Sequence, residues 1–347
     1  AEAEAAAAQA SKTFKLAVNS NDKLYLRLRD INFAAVPGAL KERAEQIQAI
    51  EDEKKTLAQK SLGAVKEYVR KLKDMNIGLE KSMLGLHANI AMDCARRVKD
   101  LHFARRLEAE ACIIQGRGAA TFDYIDELIF RQAPLHSVLR LIILECLSGR
   151  GSRKFDSLRQ NLIQSYGYHS LFVLNNLERM GMFTRLGNES QYHWLAEDMP
   201  WAELCDNFDL LSDDVEELNP SDLHFLYSGF CPLSLRCIQH ASVPPPRSDG
   251  GYLGLDDIMD SLPGPLIEQT QISPFETRAK GDDEKKVTLV VFIGGCTYTE
   301  ISGLRWMGAR EPGGGREYII LTTKILNGST FVKSFIDQVL PMNRKLK

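Results

Sequence analysis

The spacing of hydrophobic residues changes along this chain of 347 residues. Helical spacing, with apolar residues three and four positions apart, dominates residues 11–107 and returns over residues 122–195. Near the C-terminus the pattern changes to short, continuous apolar runs that alternate with helical segments. We therefore predict a mixed fold, in which a mainly α-helical part is followed by an α/β part.

A heptad repeat runs between residues 62 and 90. Its steps alternate between three and four residues if the polar Asn76 is counted. The apolar positions are Leu62, Val65, Val69, Leu72, Leu79, Met83, Leu86 and Ile90. The simpler interpretation is a helical hairpin that packs its own core, and the alternative is a surface that receives a helix from a partner.

Residues 122–195 predict a second helical unit that ends in a winged-helix outline. Residues 135–147 are strongly apolar and are expected to form a core helix, and two short strands are expected around Gly187. Winged helices bind either DNA or protein. Protein docking is favoured, because residues 165–180 carry only His169 and Arg179 as basic side chains.

Two tyrosines of this unit, Tyr166 and Tyr168, are candidate interface residues. Tyrosine offers a large contact area at a low cost in conformational entropy. The alternative is ordinary packing against their helical neighbours Leu171 and Phe172.

The C-terminal residues 287–340 predict a β-α-β-α block. The run Val-Thr-Leu-Val-Val-Phe-Ile at 287–293 suits a strand that is buried on both faces of a parallel sheet, and residues 317–322 suit a second strand. Two glycines, Gly294 and Gly295, follow the first strand, as in turns that bind a phosphate.

Thr297 and Glu300 argue against a phosphate at this turn. They have the spacing of a capping box, in which Thr297 accepts from the backbone of Glu300 while Glu300 accepts from the backbone of Thr297. Those N–H groups are the donors that a phosphate would need, and Glu300 would repel it. The three glycines of a dinucleotide fingerprint are also missing. We expect a structural helix cap and no cofactor, with a nucleotide-binding enzyme kept as an alternative.

Composition narrows the class of protein. The net charge of −3 argues against nucleic acid as the main partner, although a winged-helix nucleic-acid binder stays an alternative. Seven cysteines without a C-x-x-C pair suit reduced thiols in the cytosol. No apolar run is long enough to span a bilayer, so contact with a membrane is expected to be indirect.

Candidate chemistry is sparse. The tightest group of possible metal ligands, His224, Cys231, Cys237 and His240, matches no common zinc spacing, and we expect no metal there. No pattern pairs a nucleophile with a base, so an enzyme is not expected.

Several longer motifs carry a resemblance to a known family. They are Phe-Ile-Gly-Gly-Cys-Thr-Tyr-Thr-Glu-Ile at 292–301, Tyr-Ile-Ile-Leu-Thr-Thr-Lys-Ile-Leu-Asn-Gly at 318–328, Asn-Pro-Ser-Asp-Leu-His-Phe-Leu-Tyr-Ser-Gly at 219–229 and Leu-Pro-Gly-Pro at 262–265. In these motifs the chain resembles SM (Sec/Munc-like) proteins, which regulate SNARE-mediated membrane fusion. It is most similar to the vacuolar branch, a subunit of the HOPS and CORVET tethering complexes.

The resemblance implies a domain organisation. It places a linker at residues 1–20, the helical hairpin of domain 3a at 21–110 and the winged-helix-like unit of domain 3b at 111–197. Residues 198–347 would be the C-terminal half of a split, Rossmann-like α/β domain 2. On that template the chain is expected to be the C-terminal part of a longer protein.

The resemblance also implies partners and contact residues. The expected partners are syntaxin-like Qa-SNARE and R-SNARE helices and a helical-repeat subunit of the tether. The expected location is the cytoplasm and, peripherally, vacuolar or lysosomal and late endosomal membranes. The SNARE-contacting residues would be Pro37, Leu40, Ile47, Ile50, Val65 and Val69, with a possible conformational switch at Pro37. Tyr166, Tyr168 and His169 would contact the tether subunit.

Overall fold

The structure is a computed structural model. It describes residues 18–56, 77–149, 151–187, 201–216, 219–242, 267, 286–311 and 315–339. These residues belong to two compact units, 1–97 and 98–347.

The first unit is helical. Its elements are α1 (Lys23–Leu28), a 3₁₀ turn (Phe33–Ala35), α2 (Val36–Thr56) and α3 (Ile77–Val98), whose last residue already belongs to the second unit. Asp22 caps α1 by accepting from the backbone N–H of Leu24. Pro37 lies in the first turn of α2, where its missing N–H leaves no helical hydrogen bond unmade. Proline therefore begins this helix rather than interrupting it.

The second unit begins with five helices that build the main core. They are α4 (Leu101–Ile114), α5 (Phe122–Phe130), α6 (Leu135–Gly149), α7 (Phe155–Tyr166) and α8 (His169–Arg179). The predicted core helix is confirmed, because Leu139 and Ile142 of α6 are each 1% exposed. Ser152 and Arg185 form a parallel bridge beside α7 and α8. The rest of the expected wing, from residue 188 onward, lies outside the described residues.

The α/β part follows α9 (Trp201–Asn207), a 3₁₀ turn (Leu223–Tyr227) and α10 (Leu233–Ser242). It consists of β1 (Lys286–Phe292), α11 (Tyr298–Arg310), β2 (Arg316–Thr322) and α12 (Gly328–Val339). The two strands pair in parallel, with Lys286 opposite Arg316 and Phe292 opposite Thr322. The order predicted from the hydrophobic pattern, helices first and β-α-β-α last, is present.

The C-terminal helix joins the α/β part to the helical core. Val332 and Ile336 of α12 are buried in the same cluster as α6 and α8. At the other end of this region, α4 continues without a break across the expected domain boundary at residues 110 and 111. The last helix of the α/β part therefore belongs to the helical core, whereas the sheet packs against a separate, smaller cluster.

The sheet is buried on one face only. Along β1, Val287, Leu289 and Val291 are more than half exposed, while Val290 and Phe292 pack against a smaller core with α10 and α11. On β2, Ile319 and Leu321 are exposed in the same alternation. The prediction of a strand buried on both faces is therefore wrong for the described chain. A continuous apolar run gives a strand two apolar faces, but only α11 and its neighbours cover one of them.

Glycine permits the close packing of α11 on β2. A Cβ on Gly308 would lie 2.3 Å from the backbone oxygen of Arg316, and one on Gly303 would lie 2.4 Å from Leu235. Both positions therefore need glycine, which has no side chain, so that α11 can pack closely against β2 and α10.

We predict that Gly308→Ala destabilises the protein by about 2–3 kcal/mol, because the added methyl must push α11 away from β2. The measurement is the free energy of unfolding in urea. Gly85→Ala is the matched control, since nothing lies within 4 Å of a Cβ there. It should stabilise α3 by up to about 1 kcal/mol, because alanine favours a helix. Equal effects of the two substitutions would contradict the packing argument.

Candidate functional site

Two backbone donors of the turn after β1 are bonded within the chain. The N–H of Gly294 donates to the Thr323 hydroxyl at 3.1 Å, and the N–H of Cys296 donates to the Lys324 carbonyl at 3.0 Å. Gly295 has a φ of 130°, and a Cβ there would lie 2.5 Å from Leu326. The glycines thus let two neighbouring loops pair with each other, which accounts for them without a phosphate.

The helix start that follows is closed by the predicted capping box. Thr297 Oγ1 accepts from the Glu300 N–H at 3.1 Å, and Glu300 Oε2 accepts from the Thr297 N–H at 2.7 Å. Ser234 of α10 donates its hydroxyl to the other oxygen of Glu300. The cap therefore also holds α11 against α10.

The candidate metal ligands named from the sequence do not converge. Burial raises the pKa of Cys231 to about 12 and that of Cys237 to about 11, which disfavours the thiolate form that a metal would bind. Among the described residues, the one group of three possible ligands with atoms within 4.8 Å of one another is Asp209, Asp222 and His224.

The centre of that group is taken by Arg236. Its guanidinium, 6% exposed, donates from Nη2 to Asp222 at 2.6 Å and to Asp209 at 3.1 Å. His224 Nδ1 lies 2.7 Å from the same Asp222 carboxylate. Arg236 therefore supplies the positive charge that a metal would bring, and the group joins α10 to the 3₁₀ turn and the loop after α9.

This network controls the ionisation of Asp222. Burial by itself would raise the pKa of its carboxyl, but the hydrogen bonds from His224 and Arg236 outweigh burial and hold that pKa below its usual value. The carboxylate form is therefore part of the folded state.

The expected SNARE-contacting residues lie in different environments. Pro37 is exposed, Leu40 and Ile50 are half-buried, and Ile47 is 3% exposed. Ile47 is a packing residue in this structure and cannot offer its side chain to a partner. Val65 and Val69 lie outside the described residues.

Ion pairs join the parts of the first unit. Arg43 of α2 pairs with Glu80 of α3, and Lys81 Nζ lies 2.5 Å from Glu51. His87, 7% exposed, lies 2.6 Å from the Asp22 carboxylate that caps α1. These contacts fix α1 and α2 against α3.

The described end of the heptad repeat is an exposed stripe on α3. We call Leu79, Met83, Leu86 and Ile90 the α3 stripe. Leu79 is 58% exposed and Ile90 is 44% exposed, while Met83 and Leu86 are half-buried. Sequence reasoning found the spacing but did not assign these four as contact residues; their exposure favours the surface that receives a helix.

The two candidate tyrosines differ. Tyr166 is half-buried, and its hydroxyl donates to the carbonyl of Ala133, so it works as a packing residue. Tyr168 is 81% exposed, and His169 beside it is exposed too. Phe172, 58% exposed, was missed as a contact residue although it follows Tyr168 by one helical turn. Tyr168, His169 and Phe172 form what we call the α8 surface.

Three basic side chains of the winged-helix-like unit pair with carboxylates. Arg159 pairs with Glu178 at 2.9 Å, Lys154 with Asp126 at 3.8 Å and Arg185 with Asp156. Each of these pairs reduces the positive charge that the unit could offer to a nucleic-acid backbone. In the described part of the chain, no helix combines the length and the apolar character needed to cross a membrane.

A family model and several known proteins are similar to this chain over most of its length. The model of the Sec1 family matches residues 2–334. Vacuolar protein sorting-associated protein 33A of Rattus norvegicus is 33% identical over 93% of this chain and 52% of its own length. The vacuolar protein-sorting-associated protein 33 homologue of Arabidopsis thaliana is 30% identical over 96% of this chain and 54% of its own length. The chain thus spans about half the length of these relatives.

Two solved structures share the fold. The SM protein Vps45 in complex with the Qa SNARE Tlg2 superimposes with a TM-score of 0.56 at 15% identity, over 95% of this chain and 53% of that one. The Unc18–syntaxin 1 complex of Monosiga brevicollis gives a TM-score of 0.54 at 15% identity, over 94% and 52%.

We predict that Asp222→Asn destabilises the protein by about 2–3 kcal/mol at pH 7, because it leaves the buried guanidinium of Arg236 short of a partner. The folded-state pKa of Asp222 is depressed. Its contribution is therefore present above the unfolded pKa of about 4 and is lost as pH falls below that value. Urea unfolding at pH 7 and pH 3 should give a smaller difference between variant and wild type at pH 3.

The control for this substitution is Asp213→Asn, since Asp213 is exposed. It should change stability little at either pH. A loss for Asp222→Asn that is the same at pH 3 as at pH 7 would contradict the role of the carboxylate.

Proposed function

Because this chain belongs to the Sec1 family, we propose that the whole protein is a non-enzymatic, SNARE-binding SM protein. It would act in vesicle docking and fusion at the vacuole and late endosome, as the SM subunit of a HOPS or CORVET tether. Support comes from the relatives, which are vacuolar sorting proteins, and from structural neighbours that were captured with a Qa SNARE or a syntaxin.

The observation that carries the SNARE-binding role is the exposed α3 stripe. Leu79 and Ile90 present apolar side chains at heptad spacing, with Met83 and Leu86 between them. A SNARE helix carries the same repeat, so its apolar face can pack on the stripe as in a coiled coil. Leu40 and Ile50 of α2 stay candidates beside it, and Pro37 stays a candidate for a conformational switch.

The proposed mechanism of SNARE assembly depends on a binding surface that is ordered before the SNARE helix arrives. A disordered SNARE segment loses conformational entropy when it folds into a helix. The ion pairs Arg43–Glu80 and Lys81–Glu51 hold α2 and α3 in place before a partner arrives. A surface that is already ordered lowers the total entropic cost of assembly and fixes the register of the helices that bind it. No chemical step is needed, which fits a chaperone rather than an enzyme.

The α8 surface is proposed to bind the helical-repeat subunit of the tether. Tyr168 and Phe172 are exposed aromatic side chains on one face of a helix whose other face is buried in the core. Aromatic anchors of this kind carry much of the binding energy at protein interfaces. His169 lies beside Tyr168 in this surface, whereas Tyr166 packs against the core and donates its hydroxyl to the carbonyl of Ala133.

The exposed sheet face supports the proposal that the α/β part is half of a split domain. Val287, Leu289 and Ile319 present an apolar face that a parallel sheet normally buries. The relatives are about twice as long as this chain, so a further segment of the whole protein can cover that face. The domain limits at residues 20, 110 and 197 are part of the same proposal.

The location proposed for the whole protein is cytoplasmic, with attachment to vacuolar or lysosomal and late endosomal membranes through its partners. Reduced thiols fit that location: Cys146, Cys205 and Cys231 are buried and unpaired. The alternatives of a nucleotide enzyme and a nucleic-acid binder are not favoured, because the N–H groups of Gly294 and Cys296 are bonded within the chain and Lys154, Arg159 and Arg185 pair with carboxylates.

We predict that Leu79→Asp combined with Ile90→Asp weakens binding of the full-length protein to isolated SNARE motifs at least about tenfold, because two carboxylates would be buried against an apolar helix face. Binding is measured by titration of labelled SNARE motifs. Met92→Asp is the control, since Met92 is 60% exposed on the opposite face of α3. Unchanged SNARE binding by the double variant would rule out the stripe.

We predict that Tyr168→Asp and Phe172→Asp each reduce co-purification of the full-length protein with the helical-repeat subunit by about tenfold or more, because each removes an aromatic anchor. Tyr298→Asp is the control, as Tyr298 is 69% exposed at the start of α11. Tyr166→Phe should leave co-purification intact and cost only about 1 kcal/mol of stability through its lost hydrogen bond. Full recovery of the subunit with Tyr168→Asp would contradict the assignment.

A further inference from the structure

A group of basic side chains lies on the second unit where α6 packs against α4 on one side and α12 on the other. We call it the basic cluster, and its members are Arg106, His136, Arg140 and Lys333. The side chains of Arg106 and Arg140 are 33% and 32% exposed, and Lys333 is exposed. The three cations are therefore accessible to a ligand from solvent, with the half-buried His136 among them.

The packing of the helices brings these side chains together. Arg106 and Glu110 lie one turn apart on α4, and His136 and Arg140 lie one turn apart on α6. Arg140 Nη2 donates to Glu110 Oε2 at 2.7 Å, which joins the two helices. At the start of α12, a Cβ on Gly328 would lie 2.8 Å from Arg140 Nε. The guanidinium of Arg140 is thus central to the three helices.

The ring of His136 reports that the cations converge. Its pKa is lowered, most of all by burial. Lys333, Arg106 and Arg140 each lower it further, because a like charge nearby disfavours the protonated ring. The lysine of α12 therefore lies near the same ring as the arginines of α4 and α6.

Positive charge is in excess at the basic cluster. Among the described residues, Glu110 is the one carboxylate within ion-pair distance of its members. Glu110 Oε2 accepts from Arg140, and its Oε1 lies 4.0 Å from Arg106 Nε. Lys333 has no ion-pair partner in the described part of the chain. Three cations share one carboxylate, which leaves an excess of two positive charges while Glu110 is ionised.

This excess suits a phosphate monoester, which carries a charge of about −1.5 to −2 at pH 7. Guanidinium groups donate in pairs to phosphate oxygens, and a lysine adds a compact positive charge. A nucleic acid would need basic groups along a row of phosphates. The basic cluster is instead compact, so its size fits a single phosphate group.

We propose that the basic cluster binds the phosphate monoester of a small molecule or of a lipid headgroup. Arg106, Arg140 and Lys333 hold the phosphate oxygens, and His136 lies beside them. The site shares no residue with the α3 stripe or the α8 surface, so it goes beyond the proposed SNARE and tether functions.

The test uses glycerol 3-phosphate and vesicles that contain phosphatidic acid, because the two probes carry the same phosphate monoester in free and in membrane-bound form. Calorimetric titration into the full-length protein should give saturable binding of glycerol 3-phosphate and none of glycerol. Co-sedimentation with phosphatidylcholine vesicles, with and without phosphatidic acid, identifies the source. Binding that needs phosphatidic acid supports a lipid headgroup, and binding of the free ester alone supports a soluble ligand.

Substitutions of single cations locate the site. Lys333→Gln and Arg106→Gln should each weaken binding of glycerol 3-phosphate about tenfold, because each removes a hydrogen bond between charged groups. Lys333→Arg should retain binding, since it keeps the charge. Lys324→Gln is the matched control, as Lys324 is an exposed lysine of the same unit outside the basic cluster. Thermal unfolding checks that each variant is folded.

The proposal is overturned if the wild type shows no saturable binding of glycerol 3-phosphate, or if Lys333→Gln and Arg106→Gln both keep wild-type affinity. Equal weakening by Lys324→Gln would overturn it as well, since the effect would then be one of net charge. So would binding of a phosphoserine peptide or duplex DNA without binding of glycerol 3-phosphate. SNARE and tether binding are measured separately, so their retention in a protein that ignores glycerol 3-phosphate rejects this site alone.

Discussion

The packing of the C-terminal helix α12 into the helical core is the contact on which the second unit depends. Val332, 2% exposed, and Ile336, 9% exposed, lie in the same cluster as α6 and α8. At the start of α12, Gly328 makes room for Arg140, whose Nε would lie 2.8 Å from an added Cβ. Because α12 is also continuous with the β-α-β block, the sheet is carried by the helical core. A two-stranded sheet has too little buried surface to stand alone.

The loops at the ends of the two strands are also held by contacts within the chain. In open α/β sheets, ligands usually bind beyond the carboxyl ends of the strands. Here the loops that follow β1 and β2 bond to each other, through Gly294 with Thr323 and Cys296 with Lys324. The capping box of Thr297 and Glu300 then closes the helix N-terminus. The N–H groups of Gly294, Cys296 and Thr297 at this edge are therefore used for hydrogen bonds within the chain.

Two arginines of the second unit are likewise bonded within the chain. Arg236 and Arg316 are largely buried, and each is bonded to carboxylates within the chain. Arg236 joins two loops to α10, and Arg316 bonds to Glu311, Thr288 and the Ser242 carbonyl. Exposed apolar and aromatic side chains lie on the α3 stripe, at Tyr168 and on one face of the sheet. Protein partners recognise such surfaces, whereas a nucleic acid would need unpaired basic groups.

The sequence by itself determined what local spacing encodes: the core helix of residues 135–147, the Thr297–Glu300 cap, the heptad step and the order of helices and strands. These depend on contacts between residues three or four positions apart. Only the tertiary structure decided which apolar positions are exposed and which are buried. Ile47 is buried while Leu79 is exposed, and Tyr166 is bonded inward while Tyr168 points outward. It also brought Asp209, Asp222 and Arg236 together and left one sheet face uncovered. Burial depends on which distant segment packs against a residue, and no local pattern contains that information.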